Sequence, residues 1–64
     1  MNMPLDIAVD IGRIVDETRA AHLSLDLLTS VEDLVSRHPE SGVARGTILA
    51  VLKEEAGAVG LPMN

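Results

Sequence analysis

Two histidines and a set of carboxylates are the side chains of this sequence with the clearest capacity for chemistry. His22 and His38 are its only side chains that titrate near neutral pH when unperturbed. A metal site needs three or four ligands at defined spacing, such as two histidines four residues apart on one helix face, and the sequence has no such pair. Both histidines are therefore predicted to be helix-end residues, and His38 is placed to interact favourably with a helix C-terminus.

Four carboxylates near the start of the chain fall on one polar face of a predicted helix. A pair of carboxylates works as a general acid and base only in a concave, partly dry site that shifts their pKa values. Opposite an apolar stripe, water solvates such groups, so the prediction is a charged, solvent-exposed face. Its members are Asp6, Asp10, Asp16 and Glu17.

Phosphate binding and nucleophilic catalysis have no motif in this sequence. Gly42 and Gly46 are four residues apart, but the Lys-Ser/Thr pair of a phosphate-binding loop does not follow them. No serine lies in a nucleophile motif, and the absence of Cys excludes disulfides and thiolate metal sites. The sequence therefore predicts a protein that is not an enzyme and needs neither cofactor nor metal.

Three short helices are predicted to carry these residues, so the fold class is all-α. Apolar residues recur at helical spacing, while Pro4, Pro39 and Gly57 mark helix starts and ends. A chain of 64 residues forms one small domain, predicted over residues 1–57, with a flexible tail over 58–64 that lacks an apolar period. The predicted helices span about 4–22, 24–37 and 41–57.

The apolar stripe changes sides between His22 and Leu25. Before this point, isoleucines recur at helical spacing, and after it the leucines lie on nearly the opposite side of the same helix. This jump predicts a bend. An alternative is one continuous helix over 5–37, because a heptad pattern runs through the jump, with the third helix folded back on it.

A partner chain is predicted from the size and composition of the core. The sequence is 47% hydrophobic but has no aromatic residue, so Leu, Ile, Val, Ala and Met must build the interior. Cores of this size supply only about 3–5 kcal/mol, and disulfides and metals are absent as reinforcement. A homodimeric helical bundle is expected, with helices one and three as its interface. The predicted interface residues are Ile7, Ile11, Ile14, Val15, Ile48, Leu49 and Leu52.

The charge pattern narrows the class of partner. The formal net charge is −5, and the excess of acids lies within residues 1–40. An acidic surface repels nucleic acid and anionic lipid, and there is no apolar run for a spanning helix and no signal-peptide pattern. We therefore expect a cytoplasmic, bacterial-type interaction module, such as a regulator, adaptor or inhibitor, that binds itself or another protein, with its acids steering association.

Residues 41–52 support an alternative function. The segment SGVARGTILAVL resembles the turn and recognition helix of helix-turn-helix regulators, with Gly and Val at the turn, small or basic residues at the helix start, and then Thr-Ile and a core Leu. The resemblance implies a dimeric DNA-binding transcriptional regulator. In that reading, the side chains facing the major groove are those of Ala44, Arg45 and Thr47.

Overall fold

The computed structural model describes residues 3–64 and confirms an all-α fold of three helices in that range. The first two residues of the predicted 1–57 domain lie outside it. The second helix begins later than predicted, the third begins later and the first ends earlier. None of the three is both long and apolar enough to cross a membrane. Their bounds are α1 (Leu5–Ala20), α2 (Leu27–Arg37) and α3 (Arg45–Ala58).

A sharp turn separates α1 from α2, so the alternative of one continuous helix over 5–37 is wrong. His22 has a left-handed backbone, with φ of 57°. Its N–H donates to the Arg19 carbonyl at 3.1 Å, and the Leu23 N–H donates to the Thr18 carbonyl at 3.1 Å. These two bonds form a Schellman motif, which satisfies carbonyls left over at the helix end and reverses the chain.

The His22→Gly substitution is expected to stabilise this turn. A left-handed backbone costs an L residue about 1–2 kcal/mol, and glycine removes that cost from the folded state. Glycine also raises the conformational entropy of the unfolded chain, which offsets part of the gain. We therefore expect the free energy of unfolding to rise by about 0.5–1 kcal/mol. Urea unfolding followed by far-UV circular dichroism measures the change. His22→Ala is the control, because it removes the imidazole but keeps the Cβ and so stays near the native value. Equal gains in both variants would contradict the backbone explanation.

The late start of α2 follows from a buried residue placed just before the helix. Leu25 is extended and almost fully buried. Asp26 is the N-cap, and its carboxylate accepts a hydrogen bond from the Thr29 N–H at 3.1 Å. A carboxylate at this position satisfies a free N–H and interacts well with the positive end of the helix. Ser24, where the helix is predicted to start, therefore lies in the turn.

One closed core holds the three helices together. Each helix contributes a single buried stripe at three- or four-residue spacing, including α3, whose apolar residues surround its axis in the sequence. Every core member is at most 9% exposed, and no polar side chain of the described residues is buried. The core residues are Ile7, Ile11, Val15, Leu25, Leu27, Val31, Leu34, Ile48, Leu52, Ala56 and Leu61.

The end of α3 repeats the Schellman geometry of α1 with glycine in the left-handed position. Gly60 has φ of 68°, and its N–H donates to the Gly57 carbonyl at 3.2 Å. The Leu61 N–H donates to the Ala56 carbonyl at 2.9 Å. This turn directs the Leu61 side chain into the core, where it is 6% exposed.

The segment predicted to be a flexible tail instead docks against the turn between α1 and α2. Leu25 and Met63 form an isolated parallel bridge. The Leu25 N–H donates to the Pro62 carbonyl at 2.8 Å, and the Asn64 N–H donates to the Leu25 carbonyl at 2.9 Å. These contacts join parts of the chain that are far apart in sequence, which is why local patterns do not reveal them.

Candidate functional site

The helix face predicted to be a dimer interface lies inside the single chain. Five of the seven predicted residues are at most 3% exposed in the core: Ile7, Ile11, Val15, Ile48 and Leu52. The other two, Ile14 and Leu49, are partly buried and pack against that core. The apolar surface that predicted a dimer through α1 and α3 is thus covered by the chain's own helices.

The residues predicted to face DNA lie at the start of α3. Ala44 is the N-cap and is exposed, Arg45 is the first helical residue, and Thr47 is partly buried. The Arg45 guanidinium forms an ion pair with the Glu32 carboxylate on α2. The one basic side chain in this group is therefore partly neutralised by a neighbouring helix.

A histidine and two aspartates meet at the end of the bundle where α1 begins and α2 ends. His38 Nε2 lies 2.9 Å from an Asp10 carboxylate oxygen, and His38 Nδ1 lies 3.4 Å from an Asp6 carboxylate oxygen. The His38 and Asp10 side chains are only 14% and 15% exposed. Asp10 is thus not the freely solvated group predicted from its position on the polar face. We call Asp6, Asp10 and His38 the polar cluster.

Arginines complete the polar cluster and connect it to both helices. Arg13 donates to Asp10 and to Glu17 on α1. Arg37 Nη1 on α2 lies 3.6 Å from Asp10, and Arg37 Nε lies 3.3 Å from Asp33. Hydrogen bonds from His38 and Arg13, with the charge of Arg37, hold the pKa of Asp10 below its usual range. The cluster therefore joins the start of α1 to the end of α2 through ionic contacts.

The polar cluster lies beside a depression in the protein surface. This depression is open, with a volume of about 400 Å³, and the nearby Ser41 hydroxyl accepts a hydrogen bond from the Val43 N–H. Among residues 3–64, no three side chains of His, Cys, Asp or Glu are arranged to hold a metal ion.

Acid is expected to weaken the fold through Asp10. Because folding lowers the pKa of Asp10 below the value of about 3.9 for an exposed aspartate, its stabilisation is complete above that pH and is lost as pH falls through the folded pKa. Asp10→Asn should therefore lower stability near neutral pH and flatten its decline below about pH 4. Urea midpoints measured against pH test this.

Asp16→Asn is the control for that series, because Asp16 lies on the same helix but forms no ion pair among the described residues. We expect this variant to keep the acid-induced decline of the native protein. An Asp10→Asn variant with an unchanged acid profile would show that the contacts of Asp10 do not stabilise the fold.

The opposite end of the bundle, where α1 and α3 end and α2 begins, carries an open groove of about 340 Å³. Its lining comes from the turn after α1, with Leu23, and from the turn after α3, with Val59. Leu61 and Pro62 also line it. Arg19 and His22 are the groove's charged or titratable lining residues.

Four large apolar side chains are exposed at this end. Leu23 is 62% exposed and Leu28 is 73% exposed, while Val59 and Met63 are each 41% exposed. We call Leu23, Leu28, Val59 and Met63 the apolar end. A single exposed leucine is ordinary, but several at one end of a small domain with a closed core are typical of a contact surface.

The sequence analysis predicted none of these residues as interface positions. For Leu28, its position on the helix already indicated exposure. On α2 it lies about 100° around the axis from Leu27, which leads the buried stripe with Val31 and Leu34. The exposure of Leu23, in contrast, depends on the turn at His22, and that of Met63 depends on the docked tail.

Two large apolar residues are also exposed on α1, away from the apolar end. Leu5 and Val9 are 78% and 63% exposed, and they lie one turn apart on the outer face of α1. Neither side chain lines the groove at the apolar end. They match Leu23 and Leu28 in size and exposure but lie toward the beginning of α1.

No protein-family model matches this chain, and neither a curated protein nor a solved structure is significantly similar to it.

Proposed function

We propose that this chain is a protein–protein interaction module that binds a partner protein through the apolar end. The observation that carries the proposal is the exposure of Leu23, Leu28, Val59 and Met63 in a domain whose core is closed without them, with Leu23 and Val59 also lining the groove. Covering such side chains removes apolar surface from water, which is the main favourable term in protein association.

The geometry favours a module that is recognised by its shape and apolar surface over a catalyst. The polar cluster is engaged in contacts between α1 and α2, and the groove at the apolar end has no pair of acid and base groups facing each other. This arrangement suits a small regulator, adaptor or inhibitor that acts by occupying a partner's surface. Self-association through the apolar end is an alternative outcome of the experiment below.

The electrostatics do not favour DNA binding through α3. Phosphate contacts require free Lys or Arg near the recognition helix. Arg45 is paired with Glu32, and Arg37 is paired with Asp10 and Asp33. Lys53, eight residues further along α3, is the one base of that helix without an ion pair among the described residues. We therefore propose that the chain binds a partner protein and does not act through DNA binding.

Affinity capture with matched variants tests the proposal. The tagged native chain, a Leu23→Ser/Leu28→Ser variant and a Leu5→Ser/Val9→Ser variant are each incubated with lysate of the source cells. We expect at least one protein to be retained by the native chain and by the second variant but reduced about tenfold or more with the first, since buried leucines contribute about 1.5–3 kcal/mol each.

The two double variants are comparable because the four side chains that they replace are all large, apolar and more than 60% exposed. Exposed positions of this kind change stability by about 0.5 kcal/mol or less, and urea unfolding of each variant checks this. Equal retention of every captured protein by both variants would contradict the proposal. So would a native chain that retains nothing beyond the empty matrix.

A further inference from the structure

The groove at the apolar end presents basic and apolar side chains, although the chain as a whole is acidic. The protein has a net charge of −5, yet the described residues that line this groove include Arg19 and His22 and no carboxylate. A ligand in the groove therefore meets side chains that donate hydrogen bonds, beside the exposed apolar surface of Leu23 and Val59.

His22 holds a backbone conformation that glycine adopts at lower cost. Among the described residues it is the one non-glycine residue with a positive φ. The equivalent position in the turn after α3, which lines the same groove, is occupied by Gly60. Backbone of this kind is concentrated at functional sites, so an L residue in this turn indicates a use for its side chain.

The His22 side chain makes no polar contact that would hold the fold together. Its imidazole is exposed and forms no hydrogen bond or ion pair with another described residue. His38, in contrast, lies between two carboxylates. The His22 ring is thus available to a ligand, and it carries an N–H donor in either protonation state.

Arg19 adds a second donor group to the lining of the groove. The three other arginines each form an ion pair with a carboxylate, whereas Arg19 forms none among the described residues. A base in the last turn of a helix interacts favourably with the helix dipole, so Arg19 alone does not indicate a ligand. Together with His22, its planar guanidinium provides donors that suit a carboxylate.

Three classes of occupant meet this groove differently. A second copy related by a two-fold axis through the groove would bring two guanidinium groups towards each other, which is repulsive. An anionic membrane or a nucleic acid offers phosphates, but the net charge of −5 repels an extended anionic surface. A protein segment with one carboxylate beside a large apolar side chain satisfies the donors with little of that repulsion.

We infer that the apolar end recognises an Asp or Glu side chain of a partner protein, which binds Arg19 and His22 while a neighbouring large apolar side chain covers Leu23 and Val59. This inference rests on the function proposed above. Burial of apolar surface supplies most of the affinity, and the two donors select the segment, because an apolar residue in place of the acid leaves them unpaired. His22 is then a specificity-determining residue that occupies a conformationally unfavourable position.

Opposite effects of one substitution on stability and on binding test this inference. A random phage-displayed peptide library is selected against the native chain, and the most enriched peptide is synthesised for calorimetric titration. We expect enriched peptides to carry Asp or Glu close in sequence to a large apolar residue. His22→Gly should raise the urea midpoint, because it relieves the left-handed backbone, and yet raise the dissociation constant about threefold to tenfold.

Matched variants separate the donors from the turn that carries them. His22→Ala keeps the backbone of an L residue, so it should weaken binding as much as His22→Gly without stabilising the fold. Arg19→Gln should raise the dissociation constant about threefold to tenfold. Lys53→Gln is its control and should change the constant less than about twofold, because Lys53 is exposed, lacks an ion pair among the described residues and does not line the groove.

A second peptide, with Asn or Gln in place of its acid, identifies the group that is recognised. We expect it to bind the native chain about threefold to tenfold more weakly than the acidic peptide. Arg19→Gln should then cause little further loss, because the contact that this substitution removes is already absent. Equal affinities of the two peptides would overturn recognition of a carboxylate.

The remaining outcomes each overturn a specific statement. Enriched peptides without an acid, or full affinity of either His22→Gly or Arg19→Gln, would overturn acidic recognition, and weaker binding by Leu23→Ser/Leu28→Ser would still leave the proposed function standing. No enrichment would overturn recognition of a short segment, and the affinity capture decides the proposed function separately. Equal binding by the leucine variant would overturn docking at the apolar end. A native chain that sediments as a dimer, and as a monomer only in the leucine variant, would assign the surface to a second copy.

Discussion

Leu34→Ala is expected to unfold a large fraction of the protein at room temperature. Leu34 lies in the middle of α2 with 0% exposure, inside the core shared by all three helices. Truncating a fully buried leucine costs about 2–5 kcal/mol, because transfer energy is lost and a cavity remains. A single core of this size supplies only about 3–5 kcal/mol, so one substitution removes most of the stability.

The control for this prediction is Leu28→Ala, on the same helix and of the same residue type. Leu28 is 73% exposed, so its truncation should change the free energy of unfolding by about 0.5 kcal/mol or less. Urea unfolding must be followed by far-UV circular dichroism, since the chain has no Trp, Tyr or Phe. Similar urea midpoints for the two variants would show that α2 does not pack as described.

Removal of residues 61–64 is expected to have the second-largest effect, about 2–4 kcal/mol of lost stability. Burial of one leucine contributes about 1.5–3 kcal/mol and each hydrogen bond about 0.5–1.5 kcal/mol, with part offset by the entropy of the released chain. The truncation removes the buried Leu61 and the bonds to Leu25, and it uncovers Leu25 itself.

Met63→Ala is the matched control for the truncation. Its side chain is 41% exposed, and the bonds that hold the tail are made by backbone atoms, so docking should persist. We expect its urea midpoint to stay close to that of the native chain. A truncated chain as stable as the full chain would contradict a docked tail and restore the prediction of a flexible one.

Local chemistry is what made parts of the fold predictable. Pro4 precedes the first helical residue, and Pro39 follows the end of α2, because proline fixes φ and lacks an N–H. The stripe that includes Ile7 and Ile11 is buried as its spacing indicates, although within the chain's own core. The sequence pattern identified an apolar face but not what covers it.

Long-range contacts explain what the sequence did not reveal. His38 and Asp10 are 28 residues apart, and only the folded chain brings them into contact. The sequence pattern alone therefore gave Asp10 the same solvent-exposed position as the other carboxylates of its helix face. The turn at His22 lacked the glycine that usually marks such a helix end. The turn at Gly60, followed directly by an apolar residue, did carry that signature and could have predicted that Leu61 returns to the core.

The apolar end was missed for the same reason, since it forms only when the turn after α1, the start of α2 and the tail meet. Leu23 and Met63 are far apart in sequence and share this end because Leu25 pairs with the tail. The proposed docking surface therefore depends on the same contacts that stabilise the fold, and the truncation of residues 61–64 is expected to impair both.

The central claim is that a partner protein binds at the apolar end, and amide chemical shifts of the ¹⁵N-labelled chain test it most directly. During titration with a protein that the native chain retains in the affinity capture, the largest shift changes are expected within residues 22–28 and 59–63. Residues 44–47, at the start of α3, and 5–12, on α1, should change little. Largest changes at residues 44–47 or 5–12, with the apolar end unaffected, would contradict the claim.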